Sequence, residues 1–194
     1  GHEVRVVTLS NSLHTYKDGP VYYMGSVSAN RIYPGARLRV NRTRSMLHEL
    51  IAWRPDVIHS QCEFSTFRVA YALSNRLGIP IVHTYHTVYE DYTHYFSPSV
   101  RVGKYVVSTF SRGICGRAAC SVAPSRKVEQ LLRDYNIHCR IEVIPTGVDL
   151  SMYRETPPPE RLAALRRRWN IPEDHTVLLY LGRMAKEKNL EQLM

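Results

Sequence analysis

The stretch "FRVAYALSNRLGIPIVHTYH", Phe67 to His86, changes its period half-way along. Phe67, Ala70, Tyr71, Ser74 and Leu77 recur on one helical face, and Gly78 stops that helix. "IPIVHTY" (Ile79 to Tyr85) then follows as a short, apolar, β-branched run bounded by Gly and Pro, the pattern of a buried strand. The same alternation recurs on both sides. "VRVVTL" (Val4 to Leu9), "DVIHS" (Asp56 to Ser60), "CSVAP" (Cys120 to Pro124) and "IEVIP" (Ile141 to Pro145) read as further buried strands. Met46, Leu47, Leu50 and Ile51 mark one more helix; Val128, Leu131, Leu132 and Tyr135 mark another, with Ser125 as its N-cap. Strands alternating with helices predict an α/β fold: a doubly wound, mostly parallel, Rossmann-like sheet with right-handed crossovers. Ligands of such sheets gather at the carboxyl ends of the strands, so "HTYH" falls on the functional edge.

Composition sets the class. The 194 residues are 44% hydrophobic with only 10 Gly and 11 Pro, enough to build a core. No apolar run approaches the roughly 20 residues of a membrane-spanning helix. "GHEVRVVTL" carries charges in its first five residues and no long apolar centre, unlike a signal peptide. Cys62, Cys115, Cys120 and Cys139 form no C-x-x-C pair and read as reduced thiols in a reducing compartment. A net charge of +9 and a pI near 9.6 favour anionic partners: nucleic acid, phosphorylated ligands or an acidic membrane surface.

Near residue 150 the chain changes character. "DLSMYRETPPPERL" holds three successive prolines and suits a stiff connector. Leu162, Leu165 and Trp169 then outline a short amphipathic helix, and "HTVLLYLGRMAKEKN" reads as a strand (Thr176 to Leu181), a loop and a helix start. The expected organisation is a Rossmann-like domain over 1–150, a linker and short helix over 151–170, and the start of a second Rossmann-like domain over 171–194. One strand and the first turn of a helix cannot close a core, which predicts truncation at the C-terminus. The absence of a helix ahead of the first strand predicts that the first domain lacks its opening strand and helix.

Five segments in order, "DVIHSQCEF", "GIPIVHTYHTVYEDYTHYF", "APSRKVEQLL", "VIPTGVDLSMY" and "LYLGRMAKEKN", resemble the retaining glycosyltransferases of family 4, which have the two-domain GT-B fold. The histidine- and tyrosine-rich segment with its preceding Glu-Phe is most similar to bacterial enzymes that transfer glucose from UDP-glucose to diacylglycerol. The resemblance spans nearly the whole chain. It implies that residues 1–150 form the acceptor-side domain and that 171–194 begin the nucleotide-sugar-binding domain. The family's acidic pair and its uridine and ribose contacts would then fall beyond Met194, and its glycine-rich loop before Gly1. The 194-residue chain alone is therefore expected to have little or no transferase activity.

The chemistry of that reaction names the residue types. A departing nucleoside diphosphate needs cations held against its developing charge, and Arg183 and Lys188 follow the strand expected at Thr176 to Leu181. By resemblance they contact the donor diphosphate, with Gly182 and Gly147 (in "IPTGVD") also on the donor side. The alternative is that both are ordinary solvated charges at a helix start, but Gly182 leaves room for close approach of a ligand. His86 matches the family histidine that faces the transferred sugar, where an imidazole can accept from or donate to a hydroxyl. Strand alternation sends His83 and Tyr85 to the face opposite Thr84 and His86, so His83 is expected inside.

The resemblance puts Glu63, Tyr85, Thr87, Tyr89, Glu90 and Asp91 on the acceptor side. Glu63 reads equally well as the cap of the helix that follows it. Tyr85, Tyr89, Tyr92 and Tyr95 suit the half-wet entrance of a lipid or sugar site, or packing of the core and lid. His83 and His86 point to opposite faces of a strand, and no Asp or Cys completes a tetrahedral set, so neither a metal nor another cofactor is expected.

The resulting expectation is a transferase whose partners are a nucleotide sugar, a lipid acceptor and an anionic membrane surface, with no nucleic acid. It would be cytoplasmic and peripheral to the inner face of the membrane. Arg161, Arg166, Arg167 and Arg168 would contribute about 4 kcal/mol to reversible association at roughly 1 kcal/mol each, although a solvated helix face explains them equally well. The alternatives are another family 4 acceptor (phosphatidylinositol or a soluble sugar) or a GDP-mannose donor. More remotely, a basic, non-catalytic nucleic-acid-binding module would show basic residues interleaved with exposed aromatics, whereas here the charges are scattered.

Overall fold

The computed structural model describes residues 1–30, 36–40, 43–95, 97, 99–182, 184 and 188–192, without the side chains of Asp91, His94, Tyr95 and Met152. The chain divides into two compact units, Gly1–Pro145 and Thr146–Met194.

In the first unit, β1 (Val6–Leu9) is followed by β2 (Tyr16–Asp18) and β3 (Val21–Met24). β3 lies between the other two, parallel to β1 and antiparallel to β2. Gly19, at φ 52°, makes the tight β2–β3 turn that a side chain would strain. β4 (Ser26–Ser28) and β5 (Arg37–Arg39) form a separate antiparallel pair. α1 (Arg44–Trp53) follows, burying Met46 and Leu50.

The remainder of the unit is a regular β-α series. β6 (Ile58–Ser60), α2 (Ser65–Leu77), β7 (Ile81–Thr84), α3 (Val100–Cys115), β8 (Cys120–Ala123), α4 (Arg126–Asp134) and β9 (Arg140–Val143) follow in turn. The four strands are parallel and lie in the order β6-β7-β8-β9. Local chemistry accounts for the helix ends. Gly78 closes α2 in the left-handed conformation at φ 69°, and Ser125 opens α4 by accepting from the Val128 amide at 3.4 Å.

α3 was not anticipated, because its β-branched residues and two glycines are weak helix formers. Packing overrides that preference. Gly103, Val107, Ser111, Ile114 and Cys115 are the buried residues of α3, with Ser108, Phe110, Arg112 and Gly113 partly buried and the N-terminal residues around Gly103 exposed. Gly103 lets α3 approach the short 3₁₀ segment Tyr89–Tyr95: an added Cβ would lie 2.8 Å from Thr93 Cβ. The core is built in patches. Tyr22, Met24, Met46, Leu50, Val69 and Leu73 form one, and Tyr85, Val107, Cys115, Ala123, Val128 and Leu132 lie in another.

In the second unit, Ser151–Tyr153 forms a 3₁₀ turn and Pro159–Arg168 forms α5. The strand expected at Thr176 to Leu181 does not form. Leu178, Leu179 and Leu181 are exposed, and a lone strand has no ladder to satisfy its backbone groups. The basic cluster on α5 is also partly committed: Arg166 donates to the carbonyls of Pro172 and His175, which fold the chain back on the helix. No helix among the described residues is long and apolar enough to cross a membrane.

Candidate functional site

The carboxyl ends of β6 and β7 carry the polar constellation of the first unit. His59, on β6, has its Nε2 2.7 Å from Thr84 Oγ1 on β7. Just past β6, Gln61 places its amide nitrogen 3.2 Å from His59 Nε2 and its amide oxygen 2.5 Å from His86 Nε2. His86 is exposed and follows β7 by two residues. Parallel pairing in register, Ile58 with Ile81 through Ser60 with His83, brings the two strand ends together. Desolvation, helped by the neighbouring His83 and His86, holds His59 below its ordinary pKa. The edge is therefore a set of exposed hydrogen-bonding groups aimed out of the sheet. Such groups can hold hydroxyls of a sugar or another polyol.

Behind this edge lies a buried layer. His83 is fully buried, as strand alternation predicts, and its Nε2 lies 3.5 Å from Glu63 Oε1. The other oxygen of Glu63 accepts from the Tyr89 hydroxyl at 2.6 Å. Phe64, Tyr89 and Phe110 meet in mutual ring contacts, with Tyr85 edge-on to Tyr89 at 6.0 Å.

Several expectations on the acceptor side change here. Glu63 does not cap α2, whose N-cap Phe64 has no side-chain cap bond, because its carboxylate turns inward to His83 and Tyr89. Tyr85 does not line an entrance. It is fully buried with its hydroxyl 2.8 Å from Ser111 Oγ, and burial raises its pKa. Tyr89 and Thr87 are half-buried; Tyr89 is pushed well above the usual phenol range, first by desolvation and then by the Glu63 charge. Glu90 is a clasp: one oxygen accepts from Tyr135 and the other pairs with Lys104, each at 2.9 Å. The Asp91 side chain lies outside the described residues.

On the donor side, Arg183 lies outside the described residues, whereas Lys188 is exposed. Gly147 has open space around it. Gly182 is close under the Tyr180 ring, 2.7 Å from a would-be Cβ to the phenol oxygen, so the space beside it is filled by protein. These residues belong to the second unit. Among the described residues no group of three or more His, Cys, Asp or Glu is placed to hold a metal ion.

His59 and Gln61 were missed by the sequence reading, although the signal was present: both sit where the "DVIHS" strand ends, as His86 does for the next strand.

The sequence profile of Glycosyltransferase Family 4 matches residues 1–152. The chain belongs to that family. It is 31% identical over its full length to an alpha-monoglucosyldiacylglycerol synthase of Streptococcus pneumoniae, covering 44% of that protein. It is 27% identical, again over its full length, to the Acholeplasma laidlawii enzyme of the same name, covering 50% of it. A D-inositol 3-phosphate glycosyltransferase of Thermobispora bispora is 32% identical over 70% of this chain and 31% of its own. The chain thus spans about half the length, or less, of the curated relatives it matches. Sucrose-phosphate synthase from Thermosynechococcus elongatus superimposes on 97% of the chain with a TM-score of 0.58 at 20% identity, covering 47% of that structure. That likeness establishes the fold, the doubly wound α/β architecture of GT-B enzymes.

Proposed function

We propose that the chain is the acceptor-side part of a retaining hexosyltransferase that moves glucose from UDP-glucose to a lipid acceptor such as diacylglycerol at a membrane surface. The observation that carries this reading is identity across the whole chain to two enzymes named alpha-monoglucosyldiacylglycerol synthase. The exposed His59–Gln61–His86 edge supports it, because it presents hydrogen-bonding groups where α/β sheets bind ligands. In this reading His86 holds a hydroxyl of the transferred sugar. Arg183 and Lys188 stand against the charge that develops on the leaving diphosphate, and Gly147 and Gly182 line the donor side. The charge on the leaving group is met by side chains, so the reading calls for neither a metal nor a cofactor.

A membrane-surface location draws support from α3. Its N-terminal half exposes Val100, Val102, Tyr105 and Val106 beside the cation of Arg101. Apolar side chains flanked by basic ones suit the boundary between headgroups and acyl chains of an anionic bilayer. The enzyme would act at the inner, cytoplasmic face.

The similarity to D-inositol 3-phosphate glycosyltransferases keeps a second reading, a soluble phosphorylated polyol as acceptor. The test is to supply the full-length protein carrying this chain with UDP-glucose or GDP-mannose and, in turn, diacylglycerol in vesicles, phosphatidylinositol or a soluble sugar phosphate. Glucosylation of diacylglycerol is the expected outcome; transfer only to a soluble acceptor would replace the lipid reading. His86→Ala should abolish most turnover while leaving the fold intact, and unchanged turnover would remove His86 from the site. The isolated 194-residue chain should turn over little or no UDP-glucose.

A further inference from the structure

We infer that Gln61 is the positioning residue of His86: its side-chain amide fixes which ring nitrogen of His86 carries the proton, and so which one faces the substrate. The inference rests on the transferase reading for its purpose, though not for its geometry.

An amide oxygen can only accept, and Gln61 Oε1 lies 2.5 Å from His86 Nε2. The shared hydrogen therefore sits on Nε2. In the neutral ring Nδ1 then keeps its lone pair and is available to accept from a hydroxyl. The other end of the amide faces His59. Gln61 Nε2, a donor, lies 3.4 Å from His59 Nδ1 and 3.2 Å from His59 Nε2. His59 Nε2 is in turn 2.7 Å from Thr84 Oγ1.

With the amide oxygen on His86, the contacts to His86 Nε2, His59 Nδ1 and Thr84 Oγ1 share one assignment, in which the 3.2 Å approach of Gln61 Nε2 to His59 Nε2 brings two donors together. His59 Nε2–H donates to Thr84 Oγ1, the Gln61 amide N–H donates to His59 Nδ1, and His86 Nε2–H donates to Gln61 Oε1. The chain of donors runs from the exposed imidazole back to a buried threonine on β7. Reversing the amide would oblige His86 to accept at Nε2 and carry its proton on Nδ1. It would also oblige His59 to donate toward Gln61 while accepting from Thr84. The depressed pKa of His59 favours the neutral imidazole that such a relay needs.

The consequence is chemical. A histidine presenting Nδ1 as an acceptor selects a donor hydroxyl on the sugar and turns away an acceptor group. A freely rotating ring would present both tautomers. Neither Asn, one carbon shorter, nor Leu, of similar bulk without polar atoms, can span His59 and His86 as Gln61 does.

The experiment is nitrogen NMR on the 194-residue chain labelled with ¹⁵N-histidine. At about pH 8, His86 should show a protonated Nε2 and a bare Nδ1. In Gln61→Leu that signature should move toward a tautomer mixture, with backbone amide signals elsewhere in place. Gln61 is exposed, so the substitution leaves the core untouched. A protonated Nδ1 in the parent chain overturns the inference, as does a His86 signature indifferent to Gln61→Leu.

In the full-length protein, Gln61→Leu should lower kcat roughly tenfold, the order expected for losing one oriented hydrogen bond, with KM for the nucleotide sugar little changed. A rise in KM alone would reassign Gln61 to ground-state binding. Loss of the transferase reading would appear as absence of turnover in the parent protein, which the tautomer measurement does not depend on.

Discussion

Tyr89 donates its phenolic hydrogen to Glu63 Oε2 at 2.6 Å, which ties the 3₁₀ segment after β7 to the turn between β6 and α2. Glu63 is itself 5% exposed, and its second oxygen lies 3.5 Å from His83 Nε2. Tyr89→Phe removes the one hydrogen bond that Glu63 receives among the described residues. The expected cost is about 1–3 kcal/mol of unfolding free energy, measured by urea titration. A change under about 0.3 kcal/mol would mean that the bond is replaced by water, since conservative surface changes fall within ±0.5 kcal/mol.

His59 gives stability a pH dependence. Its folded pKa lies below that of the unfolded chain, so the unfolded state binds the proton more readily as pH falls toward and below the ordinary histidine value. The native state should therefore lose stability on acidification from pH 7 through about pH 6.5 and below. His59→Gln should flatten that part of the curve, read as thermal midpoints at stepped pH. An identical slope in the variant would assign the acid sensitivity elsewhere.

Gly103→Ala should loosen the contact of α3 with the 3₁₀ segment. The new methyl would sit 2.8 Å from Thr93 Cβ and 2.9 Å from its Cγ2, so one element must shift. A loss of about 1–3 kcal/mol is expected from such overpacking, despite the better helix propensity of Ala. Thr93→Ser in the same chain should recover part of it, because it deletes the clashing methyl.

Cys115 is fully buried, and burial pushes its thiol up to about 11. Alkylation by iodoacetamide at about pH 8 should pass over it in the folded protein and reach it only after unfolding, since the thiolate is the reacting species. Peptide mapping distinguishes the two. Rapid native labelling would mean that the α3–β8 region opens readily.

Several elements were legible from local pattern. Gly78 stops α2 and Ser125 caps α4 as expected, because each acts through its own backbone geometry. The Asp18-Gly19 turn was equally readable but overlooked, and with it the β2–β3 hairpin. α3 was hidden for a physical reason: Val, Thr and Gly lower its propensity, and only its buried stripe makes it a helix. At the site, the burial of His83 followed from alternation along one strand. Glu63, Tyr85 and Glu90 could not be placed that way, since their partners His83, Tyr89, Ser111, Lys104 and Tyr135 mostly lie 20 or more residues away.

The sequence by itself determined the α/β alternation, the strand whose end carries His86, and the family to which the motifs belong. Each depends on periods of two or 3.6 residues, or on short segments read in order. Tertiary structure alone decided which polar groups meet. The register of β6 against β7 sets His59, Gln61 and His86 side by side, and the inward turn of Glu63 takes it from the surface to the core. A hydrogen bond between residues 25 positions apart, as between Gln61 and His86, leaves no trace in local pattern, because it exists only once two strands have paired.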